Sequence, residues 1–182
     1  MTTALLVMDV QEQVLARYPA EACLAKLGTA ISSARSAAVP VVYVKIAFRP
    51  GFPEIHPRNK MFGGMPARAG NTPAANEIHP DVAPEPGDVV VLKHRVSAFA
   101  GSDLDMVLRA QNIEHLVLTG VATSGVVLST LRQAADLDYR LTVLADACLD
   151  GDPQVHDVLM TKVFPMQAEV VTVGEWAAGT GG

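Results

Sequence analysis

Apolar residues in this chain fall into six short, nearly continuous runs rich in Val, Leu and Ile: Ala4–Val10, Val39–Ile46, Asp88–Leu92, Ile113–Thr119, Arg140–Ala145 and Glu169–Val173. Unbroken apolar runs of this length are how strands buried on both faces of a parallel sheet read. Helical periodicity lies between most of them. Over Ala20–Ala38, the residues Ala22, Leu24, Leu27, Ile31 and Ala34 recur near the helical period. Ser102–Gln111 opens with a capping serine followed by Asp103 and Asp105. Val126–Leu137 is helical in type, and Pro153–Val163 follows an Asp152-Pro153 start signal. Strand alternating with helix predicts a doubly wound α/β domain.

The rhythm breaks between Phe48 and Pro86, where the chain carries eight prolines and little periodicity. A connection this long inside a compact domain is functional or disordered. A lid, an oligomer contact and a plain surface excursion all fit. The 182-residue chain is read as one domain spanning 1–182, with the stretch 48–86 as a long loop insertion.

Charge and composition narrow the function. The net charge of −5, with Lys and Arg scattered, gives no support to nucleic-acid binding. No apolar run nears the ~20 residues needed to span a bilayer, so no membrane role is expected. The first residues, MTTALLVMDVQ, lack a basic leader, and a cytoplasmic protein is the expectation. Cys23 and Cys148 are the only cysteines and make neither a disulfide framework nor a thiolate metal site. The five histidines show no i, i+4 pair. His56 and His79 lie in the long loop, as substrate contacts or as plain surface residues.

In open α/β sheets, ligands bind outside the carboxyl ends of the strands. The polar residues there are Asp9 and Gln11 after the first run, Lys93, His94 and Arg95 after the third, the segment Thr119–Gly125 after the fourth, and Asp146 after the fifth. Asp9 follows ALLVM, so its carboxylate is expected to be partly buried and in need of a partner. Lys93 is the natural one. Such a pair serves either as a tuned proton-transfer carboxylate or as a structural ion pair. The turn Gly120–Gly125 offers backbone N–H groups for an oxyanion, or is an ordinary strand-to-helix turn. It lacks the Lys-Ser/Thr of a phosphate loop, with Val126 and Val127 in their place. Cys148 reads as a displaced nucleophile or a buried inert thiol, and Cys23 as a helix-face residue.

Three blocks, LLVMDVQ at the N-terminus, LKHRVSAF at Leu92–Phe99 and LTGVATSGVVLSTLRQAADLDY at Leu118–Tyr139, with VLADACLD at Val143–Asp150, together resemble the isochorismatase-like hydrolases. The resemblance spans nearly the whole chain. It implies a three-layer α/β/α fold around a largely parallel six-stranded sheet. It also implies an Asp–Lys–Cys triad in which Asp9 matches the general acid or base and Lys93 the charge-holding lysine. A cis peptide between Val121 and Ala122 is implied, with the amides of Ala122 and Val126 as the oxyanion donors. Thr123, Ser124, Gln11 and Phe99 are further candidates for binding substrate.

One departure bears on mechanism. The position matching the family's cysteine is Val126, which can form no covalent intermediate. Ser124 lies two residues too early and Ser129 about a turn too late to replace it. Isochorismatases within the superfamily also lack the cysteine and cleave a vinyl ether, but their YAHIGC turn is not matched by VATSGV. The Asp-x-His metal pattern of nicotinamidases is absent from KIAFRPGFPEIH, so no metal and no cofactor are predicted. Three functions follow: a cysteine-independent hydrolase of a small amide, imide or vinyl ether; an inactive metabolite-binding relative; and an oligomer built through the loop. A homo-oligomer acting on a small molecule is the expected assembly.

Overall fold

The computed structural model describes residues 1–69 and 76–180. Six strands form one parallel sheet: β1 (Thr3–Met8), β2 (Val41–Ile46), β3 (Val89–Lys93), β4 (His115–Val121), β5 (Arg140–Leu149) and β6 (Glu169–Val171). Their order is β3-β2-β1-β4-β5-β6, with every pairing parallel. The order reverses direction at β1, so β1 and β4 leave the sheet toward opposite faces. This is the switch point where open α/β sheets hold ligands.

The helices are α1 (Glu12–Leu15), α2 (Glu21–Ser36), α3 (Met65–Ala69), α4 (Leu104–Ala110), α5 (Leu128–Asp136), α6 (Pro153–Val158) and α7 (Val173–Thr180). Two apolar cores sandwich the sheet. One packs alternate residues of β1 and β4 against α4 and α5 through Leu6, Leu108, Leu118 and Leu131. The other packs the opposite alternation against α2 and α7 through Leu5, Leu27, Val117 and Trp176. The central strands are buried on both faces, which is why they read as unbroken apolar runs.

Several boundaries moved for physical reasons. In α2 the buried face is Cys23, Leu24, Leu27, Ala30, Ile31 and Ala34, and Ala22 points to solvent. Asp152 caps α6 by accepting from the Gln154 amide, as its Asp-Pro pair predicts. Ser102 accepts from Leu104 N at 3.3 Å, while Asp103 at the cap position makes no side-chain cap bond. The fifth strand continues to Leu149, beyond the predicted Ala145. Leu118 pairs with Val143 but Gly120 pairs with Cys148, so β5 bulges and resumes its ladder. The bulge turns Asp146 away from the strand ends. Its carboxylate accepts from Val173 N at 2.7 Å and pairs with Lys26 at 3.2 Å, which fixes the start of α7. Val173, expected as strand, therefore opens a helix.

Most of the proline-rich stretch is folded. Phe52, Ile55 and Phe62 form a small apolar cluster with Phe48 beside it, the Phe48 and Phe62 rings lying 5.4 Å apart. Residues 76–79 return to the body: Glu12 N donates to Glu77 O, and His79 N donates to Val10 O. The part of this stretch at 70–75 lies outside the described residues. No helix among the described residues is long and apolar enough to cross a membrane.

Candidate active site

β1 delivers Asp9 to the switch point with a left-handed backbone, φ 55°. Aspartate tolerates this conformation better than most residues. The bend leaves Asp9 N donating to Val44 O at 2.9 Å. Lys93, the last residue of β3, reaches across the end of β2 to Asp9. Its Nζ lies 2.8 Å from Asp9 Oδ2, 2.9 Å from Arg95 O and 3.0 Å from Val96 O. All three ammonium donors are thereby used, so a lysine only 1% exposed is left with no unsatisfied donor.

The two carboxylate oxygens of Asp9 differ. Oδ2 is held by Lys93, whereas Oδ1 is buried and has no hydrogen-bond partner among the described residues. Burial pushes the Asp9 carboxyl up to about 6; the charge and hydrogen bond of Lys93 act in the opposite direction but do not cancel it. Asp9 and Lys93 line a cavity of about 660 Å³ together with Ala122, Gly125 and Val126 from the turn after β4. The other walls come from the α1 segment, including Gln13, Arg17 and Tyr18, and from Phe48, Met61, Phe62, Met65 and Arg68 of the long loop.

The turn after β4 begins with a cis Val121–Ala122 peptide, at the bond the resemblance implies. Gly120, at φ +135°, precedes it, and a Cβ there would lie 2.2 Å from Met8 O. Only glycine allows β4 to pass this close to β1. The chain then winds through Thr123–Val127 in a wide turn before α5. Two ties hold that turn: Ser124 N donates to Asp150 Oδ2 at 2.7 Å, and Thr123 Oγ1 meets His156 Nδ1 at 2.8 Å.

The predicted site residues therefore separate into groups. Asp9, Lys93, Ala122 and Val126 share the cavity. Thr123 is fully buried behind the turn, and Ser124 faces out toward Asp150; neither lines the cavity. Gln11 is fully buried. Its Oε1 accepts from Ile46 N, and its Nε2 donates to Ile46 O and Asn76 O. The side chain acts as a short length of ladder joining β2 to the returning loop. Phe99 packs on Tyr139, ring centroids 6.0 Å apart, in the α4–α5 core. His56 bonds Arg58, and His79 caps the turn at Pro80–Val82. His94 Nδ1 donates to Ala47 O, 2.6 Å away, and Arg95 donates to Glu54 O.

Neither cysteine enters the cavity. Cys148 lies inside β5 with Sγ 3.9 Å from Leu118 O, and burial raises its thiol far above the ordinary range. Cys23 is buried in α2, its thiol pushed up to about 12 by burial and by Asp146. Among the described residues, no group of three or more His, Cys, Asp or Glu side chains could hold a metal ion.

The model of the isochorismatase domain matches residues 3–175. The chain belongs to the isochorismatase family. The isochorismatase-family protein of Burkholderia thailandensis superposes with a TM-score of 0.83 at 27% identity, covering 98% of this chain and 95% of that one. The N-carbamoylsarcosine amidase of Thermoplasma acidophilum superposes with a TM-score of 0.75 at 28% identity, covering 95% and 97%. Among curated relatives, the ureidoacrylate amidohydrolase of Stutzerimonas stutzeri is 34% identical over 84% of this chain and 71% of its own length. That of Variovorax paradoxus is 38% identical over 70% and 56%. The chain thus spans little more than half the length of some of these relatives. Its α/β/α fold around six parallel strands is the isochorismatase-like fold.

Sequence reasoning did not reach Arg17, Asn76, Phe62, Met65 or Arg68. They lie beyond α1 and in the proline-rich stretch, where neither periodicity nor the strand-end rule marks a position. The interrupted rhythm of that stretch was the one available signal.

Proposed function

We propose that this protein hydrolyses the amide-type C–N bond of a small organic molecule, with water rather than a side chain as the nucleophile. One observation carries the reading: Asp9 Oδ1 is buried at the cavity with no hydrogen-bond partner among the described residues, while Lys93 holds the other oxygen. Such an oxygen has a lone pair to spend on a proton. Amidohydrolase and amidase names among the relatives support the bond type. Valine at the position matching the family's cysteine supports water as the attacker.

In this reading Asp9 Oδ1 takes a proton from water as the oxygen adds to the substrate carbonyl carbon. The carbonyl oxygen becomes negative and is met by the amides of Ala122 and Val126. On collapse the C–N bond breaks, and Asp9 returns its proton to the leaving nitrogen. One water is consumed, and Asp9 ends ionised as it began. Lys93 holds Oδ2 in place throughout.

Asp9→Asn removes the base while keeping its size. Turnover of ureido and amide substrates should fall about 10²–10⁴-fold with an unchanged circular dichroism spectrum. Activity at the wild-type level in that variant would refute the mechanism. Wild-type activity should also survive iodoacetamide, since both thiols are buried and protonated.

Val126 also favours a second reading, an inactive relative that keeps the cavity to bind a metabolite. A panel of amides and vinyl ethers with no turnover, alongside a ligand that raises the melting temperature, would select it.

A further inference from the structure

The two edges of the sheet are built differently. At one edge β6 has three residues, and its first, Glu169, is an exposed carboxylate paired with Arg140. A short, charged edge resists pairing with another chain. At the other edge β3 reads VVVLK. Residues 89–92 hold no charge, proline or bulge, and the strand's one cation, Lys93, is buried against Asp9. Ala47 N donates to Lys93 O, so Lys93, and with it Val91 and Val89, turns its peptide groups toward β2. Peptide groups alternate in direction along a strand. Those of Val90 and Leu92 therefore face outward, and among the described residues none outside the sheet hydrogen-bonds to them. Their side chains project on the α2 face of the sheet, beside Tyr43 and Lys45, where they stay 41% and 49% exposed. An open backbone edge and two exposed apolar side chains thus fall on the same two residues. The ends of this edge also differ in charge. Before β3, Arg35 is bound by both Glu85 and Asp88, an excess of one negative charge among the three. After β3, Arg49 pairs with Glu54 while Arg95 donates to the backbone oxygens of His94 and Glu54, an excess of one positive charge. A strand with an acidic start and a basic finish complements a copy of itself only when the two run antiparallel.

We infer that β3 is the docking edge for a second copy of this chain, paired antiparallel about a two-fold axis at Val91. Such an axis brings the same patch of both copies together. Val91 then faces its own counterpart, and Val90 of each copy faces Leu92 of the other. Each Val90–Leu92 pair exchanges both of its N–H···O bonds, which uses all the outward peptide groups of these residues. The exposed Val90 and Leu92 side chains of the two copies cover one another on a single face. Asp88 of one copy comes beside His94 and Arg95 of the other. The two six-stranded sheets join into one continuous sheet. This inference is independent of any reading of the cavity.

The test is the mass of the full chain by sedimentation, from about 1 to about 100 μM. At the upper concentration the wild type should have at least twice the 19.2 kDa of one chain. Val90→Lys with Leu92→Lys sets like charges directly opposite each other and should halve that mass. Val90→Glu with Leu92→Lys sets opposite charges in every facing pair and should restore it. Circular dichroism and melting temperature establish that the variants are folded. Hydrogen exchange on the wild type needs no variant: at the upper concentration the Val90 and Leu92 amides should exchange at least about tenfold more slowly than free peptide amides. A wild type of 19.2 kDa at every concentration, a folded double-lysine variant of unchanged mass, a charge swap that restores nothing, or unprotected Val90 and Leu92 amides would overturn the inference.

Discussion

At the scale of single residues, the behaviour of Asp9 is set by a contest between burial and Lys93. Burial wins, so the folded carboxyl titrates near 6 rather than at its ordinary 3.8. A base must be ionised, so kcat/KM should rise with pH and level off above about 6. Replacing Lys93 by Met removes both influences that lower the value. The rise should then move to higher pH by a unit or more, read from the pH–rate profile. The same contest acts on stability with the opposite slope. A folded pKa above the unfolded one means that the folded state holds the proton more tightly. The stabilisation is present below about pH 4 and is lost as pH rises through about 6, on the order of 2–3 kcal/mol in all. Urea titrations across this range should show that loss in the wild type and a flatter response in Asp9→Asn. Gln11 offers a contrast, because its value is structural. Gln11→Ala leaves Ile46 N–H and Ile46 O without their partner. It should cost about 1–3 kcal/mol by chemical denaturation.

At the scale of elements, the turn between β4 and α5 is the part most tightly specified. At Gly120 the two central strands pass so close that any side chain meets Met8 O. Gly120→Ala should destabilise the protein by at least about 2 kcal/mol, measured from the denaturation midpoint. Val126 sits one turn further on, lining the cavity beside Asp9 and Lys93. A thiol placed there would be the only one with access to solvent through the cavity. Val126→Cys should be alkylated by iodoacetamide at neutral pH, with mass spectrometry finding one modification at that position. The wild-type thiols Cys23 and Cys148 should stay unmodified on the same timescale.

At the scale of the whole molecule, the cavity is a property of the assembled chain. The sheet supplies Asp9 and Lys93, the β4–α5 turn supplies Ala122 and Val126, and the long loop supplies the apolar wall.

The sequence by itself determined the parallel α/β class, because strands buried on both faces must be apolar at every position. It also determined the Asp9–Lys93 pairing, because polar residues ending such strands collect at one edge of the sheet. The blocks of resemblance added the cis bond and the family. Tertiary structure alone decided the rest. The bulge in β5 carried Asp146 from the site to α7, since the ladder could resume only after the bulge at that point. The amide of Gln11 was spent on Ile46 and Asn76, and Phe99 went to the core, because partners distant in sequence arrived there. Arg17 and Arg68 met across one cavity because an irregular loop folded back on its own aromatic cluster. No local pattern encodes that: it depends on contacts between residues far apart in the chain.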